Sequence, residues 1–389
     1  MSAAAAALLL LAAPGAVYLA VLTIAAAAPL RRRPPAPLLQ GRIAVIVPAH
    51  NEAVGLPRTL ASLTPLARAD AACDIIVIAD NCDDDTAAVA RAAGVIVLER
   101  SDALHRGKGC ALAWALAQTA LQEYAAYAFV DADSVADDRF ISSLRRRFGA
   151  GAAALQCRYE VLDGDASPRT QLAEIALSCF NILRLRGRER LGASVGVLGN
   201  GFALSRATLE QTPWRASSVV EDLEYHLRLV AAGVRVEFVA DSGVRGAMPS
   251  GAEGARIQRT RWEGGRLRML REHGPRLAAA VLRGRWRLLE PLAELLLAPL
   301  ALHAALLLAA LLVAVFAESP VAVAAACGGL FIVVVHVVVA MRVAGLPLRR
   351  LAALTQAPAY LWWKLRLAPQ IVAAAAANSE WRRTRRDGA

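Results

Sequence analysis

The sequence predicts an α/β fold with a mostly parallel sheet, set between apolar ends that supply about three transmembrane α-helices. Three observations carry this. From Ile43 onward, apolar runs of about five residues alternate with segments of helical spacing. Hydrophobic residues make up 57% of the 389-residue chain. The longest charge-free runs lie toward the two ends and not through the middle. A chain of this length has room for one domain of roughly 200 to 250 residues plus membrane helices.

Residues Met1 to Leu30 carry no charge and exceed the roughly 20 apolar residues a spanning helix needs. A cleaved signal peptide fits less well, since no positive segment precedes the apolar run. Arg31, Arg32 and Arg33 follow and assign that end to the cytoplasm. Ile43 to Val47, Ile75 to Ala79, Val95 to Leu98 and Ala126 to Val130 read as strands, and Glu52 to Leu66, Thr86 to Ala93 and Gly107 to Tyr124 as the helices between them. A strand at Ala154 to Val161, a helix from Asp222 to Ala232 stopped by Gly233, a strand at Val234 to Val239 and a helix from Gly254 to Glu272 complete the middle domain.

Two further charge-free runs, Leu295 to Ala317 and Val321 to Met341, are separated by Glu318, Ser319 and Pro320 and read as a helical hairpin. Beyond Met341, nine Lys or Arg residues stand against Glu380 and Asp387, so this tail is expected inside the cell. Ala357 to Asn378 holds Trp362, Trp363, Lys364 and Arg366, and reads as an interfacial helix. The expected organisation is a membrane helix at 1–30, a cytosolic domain at 41–275, a membrane hairpin at 290–342 and a basic tail at 343–389, all at the inner membrane. The net charge of +11 sits beside apolar segments without interleaved aromatics, which argues for anionic membrane lipids as partner and against nucleic acid. Six cysteines without any C-x-x-C pair indicate neither a zinc site nor a disulfide frame.

Open parallel sheets bind ligands at the carboxyl ends of their strands. Pro48 to Glu52 (P-A-H-N-E), Asp80 and Asn81, and Asp131-Ala-Asp133 each follow a strand directly. In an extended chain Asp131 and Asp133 point the same way and can hold a hard cation, Mg²⁺ or Mn²⁺; the alternative is a solvated turn. Asp80 can accept from the N3–H of a uracil ring, or simply serve the Asp-rich turn Asp80 to Asp85. Lys108, in Arg106-Gly-Lys-Gly109 at a helix start, can meet a phosphate. Asp222, in Val219-Val-Glu-Asp222, is either a general base or a helix N-cap. Gln258, Arg261 and Trp262 share one helix face, presenting an amide, a guanidinium fork and a flat ring together; the alternative is an interfacial helix anchored by Trp and Arg.

Taken in order over residues 43 to about 272, P-A-H-N-E, Asp80, R-G-K-G, D-A-D, E-D and Q-R-T-R-W resemble the membrane-bound family-2 glycosyltransferases, the group that includes cellulose, chitin and hyaluronan synthases and ceramide glucosyltransferase. The resemblance implies a GT-A (Rossmann-like) fold, a nucleotide-sugar donor (usually a UDP-sugar), a Mg²⁺ or Mn²⁺ ion and inversion at the anomeric carbon. On this likeness Pro48, Glu52, Asp80, Lys108, Asp131, Gln258 and Arg261 would bind the donor, Asp133 with Asp131 the metal, Asp222 would be the base, and Trp262, Asn200 and Gly201 would meet the acceptor. The acceptor is expected to be a saccharide in polysaccharide or exopolysaccharide synthesis, or alternatively a lipid receiving a single sugar. The chain departs from the polymer synthases in having Val220 where they usually have Thr before Glu-Asp. About three crossings also make a private export pore hard to build, which leaves room for transfer to a lipid or short oligosaccharide. A homo-oligomer or an export partner stays open.

Overall fold

In the computed structural model the described residues are 2–29, 35–118, 123–215, 220–249, 251–297 and 299–376. The basic triplet Arg31 to Arg33, Val219, the end of the expected helix near residues 119–122 and the tail from residue 377 lie outside them.

The amino-terminal half of the middle domain follows the expected alternation. Strand β1 (Ile43–Ala49) pairs in parallel with β2 (Cys73–Asp80) and β4 (Ala126–Phe129), and β2 pairs in parallel with β3 (Ile96–Arg100). Residues alternate along β1: Ile43, Val45 and Val47 enter one core layer, with Leu56, Leu60, Phe140 and Leu144, while Ala44 and Ile46 enter the other, with Leu112, Phe129, Phe202 and Trp214. Burial on both faces explains why β1, β2 and β4 read as continuous apolar runs, while β3, at the sheet edge, is partly exposed. The intervening helices are α2 (Leu56–Ala69), α3 (Thr86–Ala92) and α4 (Lys108–Leu116), the last ending earlier than expected.

The carboxyl-terminal half contains the expected strands and helices and adds two strands that were not expected. Short strands β5 (Ser134–Ala136) and β7 (Phe202–Ser205), together with β6 (Ala154–Val161) and β8 (Val236–Gly246), complete an eight-stranded sheet of order β3-β2-β1-β4-β7-β6-β8-β5. β7 runs antiparallel to both β4 and β6, and β5 antiparallel to β8. Helices α5 (Phe140–Gly149), α6 (Pro168–Leu177), α7 (Leu185–Leu191), α8 (Arg206–Gln211), α9 (Glu221–Ala231) and the long α10 (Ala252–Leu282) surround it, with a π-helical turn at Ser178–Arg184 joining α6 to α7.

Among the described residues two helices are long and apolar enough to cross a membrane: α1 (Ala3–Ala27) and α13 (Pro320–Ala344). The second expected span is broken. Helix α11 (Leu289–Leu296) and helix α12 (Leu300–Phe316) meet at a 72° bend, because Pro299 has no N–H to continue a helix and disfavours helical backbone before it. The expected interfacial segment forms α14 (Ala357–Arg366) and α15 (Ala368–Ala376).

Side-chain chemistry ties the membrane helices to the sheet domain. Arg188 of α7, 1% exposed, bonds Glu290 at 2.5 Å and Glu294 at 2.9 Å, and donates to the Tyr18 hydroxyl of α1 at 2.8 Å. Tyr18 in turn donates to Glu290 at 2.9 Å. Gly187 lets the backbones touch, since a Cβ there would lie 2.6 Å from the Leu22 carbonyl oxygen. Arg186 caps α1 by donating to the carbonyls of Ala26 and Ala28. Arg188→Ala would strand two carboxylates in this interface and is expected to destabilise the protein by about 3–5 kcal/mol, read as a lower unfolding midpoint in a nanodisc. An unshifted midpoint would remove the interface from the stability of the protein.

Candidate active site

The carboxyl ends of β1, β2 and β4, the start of α4, the start of α9 and one face of α10 enclose a cleft of about 210 Å³. Pro48, Glu52, Asp80, Lys108, Asp131, Asp133, Asp222, Gln258, Arg261 and Trp262 all line it. Residues up to 214 positions apart in sequence, Pro48 and Trp262, thus share one wall. Pro48 is accommodated in a central strand because the β1–β4 pairing ends at Ile46 and Phe129, two residues earlier.

The Asp131–Asp133 segment is a turn and not the extended chain that the spacing suggests. β4 ends at Phe129, and the Ser134 N–H closes back on the Asp131 carbonyl at 3.1 Å before β5 begins. The turn still delivers both carboxylates to the cleft. It is held from beneath: the Ala132 carbonyl accepts from Thr59 Oγ1 at 2.7 Å, and the Asp131 N–H donates to Asn200 Oδ1 at 3.1 Å. Asn200, 1% exposed, also donates to Ser134 Oγ at 2.8 Å. Asn200 and Gly201 therefore do not line the cleft; Asn200 sits under the acidic turn and positions it. Lys108 Nζ contacts both Asp131 Oδ1 and the Gly199 carbonyl, bridging α4 to the two loops.

Asp80 is buried with Arg100, whose Nη1 donates to Asp80 Oδ1 at 2.6 Å while Nη2 reaches Asp102 and the His105 carbonyl. Asn81 donates to the same Oδ1 at 2.9 Å. His50 Nδ1 donates to the Asp80 carbonyl at 2.8 Å, locking the ends of β1 and β2 together. Nothing in the local sequence around Arg100 signals its role, which arises from the parallel β2–β3 register that sets Asp80 opposite Arg100.

Asp222 is not the N-cap of α9. Val220 takes that position without a side-chain cap bond, and Asp222 lies in the first turn with Glu221. Burial raises the pKa of Asp222 above the usual carboxylate range, while Lys108 and Arg261 pull it back. Glu221 is pushed up to about 7, by burial first and by the neighbouring Asp222 second. A Cβ on Gly199, whose φ is +77°, would approach Asp222 Oδ2 to 2.9 Å, so glycine there leaves the carboxylate its place. Tyr159 of β6 lines the cleft as well, a residue the sequence patterns did not mark. Burial raises its pKa.

Gln258, Arg261 and Trp262 present themselves together as the helical spacing requires, on the α10 face turned to the cleft. The guanidinium of Arg259 lies 5.6 Å from the Trp262 ring centroid and steadies it. A profile of the family described as Glycosyltransferase like family 2 matches residues 40–265, more than half of the chain, and that stretch contains every cleft residue named above. The chain belongs to glycosyltransferase-like family 2.

The probable glycosyltransferase YdaM of Bacillus subtilis (strain 168) is 24% identical over 233 residues, which cover 58% of this chain and 55% of that protein. The chain thus spans about half the length of this curated relative. Among solved structures, the mannosyltransferase PcManGT of Pyrobaculum calidifontis, in complex with GDP-Man and Mn²⁺, matches 95% of this chain and 98% of its own, at 18% identity and a TM-score of 0.55. Glucosyl-3-phosphoglycerate synthase of Mycobacterium tuberculosis, in complex with Mn²⁺, UDP and phosphoglyceric acid, covers 60% of this chain at 22% identity with a TM-score of 0.42, over 84% of its own length. The match to the mannosyltransferase establishes a GT-A-like fold with a mostly parallel sheet for the family-2 domain, joined here to helices able to span a membrane.

Among the described residues no group of three or more His, Cys, Asp or Glu side chains forms a ready-made metal cage. Two carboxylates at one turn, open to a cleft, are instead the donor set of a site completed by water and substrate phosphates, which is how Mg²⁺ and similar hard cations are usually held. The residues fit such an ion. Asn200→Ala would leave the Asp131 N–H and the Ser134 hydroxyl without their buried partner. It is expected to lower stability by about 1–3 kcal/mol and to weaken metal-dependent donor binding in calorimetry. A variant that binds donor normally and loses only acceptor affinity would return Asn200 to an acceptor role.

Proposed function

We propose that the protein is an inverting, metal-dependent hexosyltransferase that moves a sugar from a nucleotide-sugar donor, a UDP-sugar, to a hydroxyl of an acceptor at the membrane face. The observation that carries the reading is the gathering of Asp133, Asp222 and Arg261, from three separate parts of the chain, around one cleft. The family membership and the fold shared with a GDP-Man- and Mn²⁺-bound mannosyltransferase support it.

Asp80, its Oδ1 committed to Arg100 and Asn81, would offer Oδ2 to the N3–H of uracil, with Pro48 and Glu52 lining the same end of the cleft. Arg261 would fork onto diphosphate oxygens, Gln258 would add a hydrogen bond, and Lys108 would neutralise charge beside Asp131. A Mg²⁺ or Mn²⁺ ion held by Asp133 and Asp131 would supply charge neutralisation for the diphosphate. Asp222 takes the proton of the acceptor hydroxyl as its oxygen bonds to the anomeric carbon. The bond from that carbon to the phosphate oxygen breaks, its electron pair leaves with the nucleoside diphosphate, and attack from the opposite face inverts the configuration.

The sequence leaves two acceptors open, a saccharide in polysaccharide assembly and a lipid. Trp262 in the cleft wall supports a sugar ring, because its face is a stacking platform. The proposed topology has three crossings, with α12, entered through the bend from α11, as the second, and puts the catalytic domain and the basic tail on the cytoplasmic side of the inner membrane.

Transfer from a panel of radiolabelled nucleotide sugars with Mn²⁺ tests this reading, and no turnover of any donor would sink it. Asp222→Asn is expected to cut transfer by about 10²- to 10⁴-fold with donor binding nearly intact, whereas Asp133→Ala should weaken Mn²⁺-dependent donor binding itself. The base works ionised, and burial raises its pKa. Transfer should therefore fall on acidification at a pH above the ordinary carboxylate range of about 4. A kcat/KM profile flat down to that pH would remove Asp222 from the role of base.

A further inference from the structure

Among the described residues a second cavity is larger than the cleft. A chamber of about 540 Å³ lies between α6, α10, α12, α13 and α14, within the roughly 300–1,000 Å³ of sites that hold small organic ligands. Its walls are almost entirely apolar and include Leu300 and Ala304 of α12 and Val334 and Val337 of α13. One wall is therefore a helix fit to cross a bilayer.

The chamber is joined to the chemistry. Gln258 and Trp262 line both it and the cleft. A connecting space of about 280 Å³ shares Tyr159, Asp222 and Trp262 with the cleft, and Arg259, Leu300 and Tyr360 with the chamber. An apolar space at the membrane side thus leads past Trp262 to the carboxylate of Asp222. The cation that faces both rooms, Arg259, stacks on Trp262 and Tyr360 at 5.6 and 5.8 Å and stands where a polar head would meet an apolar tail.

We propose that this chamber holds the hydrocarbon chain of a lipid-borne acceptor, with the hydroxyl-bearing head at Trp262 and Asp222. The inference rests on the reading of the cleft as a sugar-transfer site and goes beyond it by naming the acceptor class. A water-soluble saccharide needs no apolar room that continues the acceptor side of the cleft into the membrane helices. An amphiphile needs both a dry seat for its chain and a polar opening for its head. The chain enters from the membrane side, where α12 and α13 wall the chamber, while the nucleotide sugar enters from the aqueous side.

The test uses the full chain in nanodiscs, a UDP-sugar that it turns over, and a series of alkyl glucosides with one head and graded chain length. Occupancy is read separately with a long-chain alcohol carrying a photoreactive diazirine, mapped by mass spectrometry. The expected result is a kcat/KM that rises about fourfold for each added methylene until the chamber is full, the factor set by methylene burial. The photoproduct should fall on α12 and α13 chamber residues. Ala304→Phe, which fills the chamber, should lower the ratio of transfer to donor hydrolysis at least tenfold for long chains and abolish the cross-link. Val321→Phe, on an exposed position of α13 away from the chamber, should change neither.

A kcat/KM independent of chain length, or soluble oligosaccharides outrunning every amphiphile, overturns the proposal. So does a photoproduct confined to the outer, lipid-facing surface, which would mean bulk lipid only. Failure of the protein to bind or hydrolyse any nucleotide sugar would instead defeat the sugar-transfer reading, and the cross-link would still report whether the chamber takes a chain.

Discussion

The placement of everything else depends on the buried guanidinium of Arg188. It meets Glu290 and Glu294 of α11 and the Tyr18 hydroxyl of α1, so one side chain of the catalytic domain holds two segments of the membrane region at fixed distance. Such a charge is expensive to bury and is tolerated only when its partners satisfy it. Here two carboxylates, a hydroxyl and the Val195 carbonyl at 3.1 Å do so. Arg266 of α10 donates to the carbonyls of Glu294 and Leu297, so the helix that carries Gln258, Arg261 and Trp262 is braced against the same α11. The roof of the cleft and the edge of the membrane region are thereby one mechanical unit.

Within the cleft the balance of charge decides which groups are ready to act. Two cations are already committed, Arg100 to Asp80 and Lys108 to Asp131, and each orients a carboxylate. Glu221 and Asp222 lack such a close partner among the described ion pairs, and burial raises both. This division matches the proposed division of labour, in which some carboxylates bind the nucleobase or the metal and another takes up a proton. Arg261 approaches Asp222 closely enough to lower its pKa but makes no described ion pair with it, which leaves the guanidinium for an incoming diphosphate.

Strands β1, β2 and β4 were legible because burial on both sides forces unbroken apolar runs, and because each ends in polar residues that a core would reject. The β5 and β7 strands were not. They are three and four residues long, they pair antiparallel with distant partners, and no local pattern distinguishes them from loop. The run from Arg184 to Arg190 holds four arginines and a glutamate, yet Arg184 and Arg188 are buried. For Arg188 the contact with Glu290 and Glu294, more than 100 residues later, makes that possible, and Arg184 lies 5.4 Å from the Phe180 ring centroid. Asn200 shows the limit of a resemblance: G-N-G falls near the acceptor side of the cleft in sequence order, but the two positive-φ glycines turn its side chain inward beneath the acidic turn.

The broken second span follows from the same constraints. At 1.5 Å per residue, the 17 residues of α12 reach about 26 Å, short of the roughly 30 Å of a hydrocarbon core. Extending α12 straight back through α11 would carry Glu290 and Glu294 into lipid, where a carboxylate has no partner. The bend at Pro299 instead lays α11 along the catalytic domain, so that its acids face Arg188. The space beneath that bend is then walled by α10 on one side and α13 on the other. Leu300, the first residue of α12 after the bend, lines that apolar room, which extends from α12 and α13 to Trp262. The break thus adjoins two features at once, with the acids of α11 facing Arg188 on one side and the start of α12 facing the room on the other.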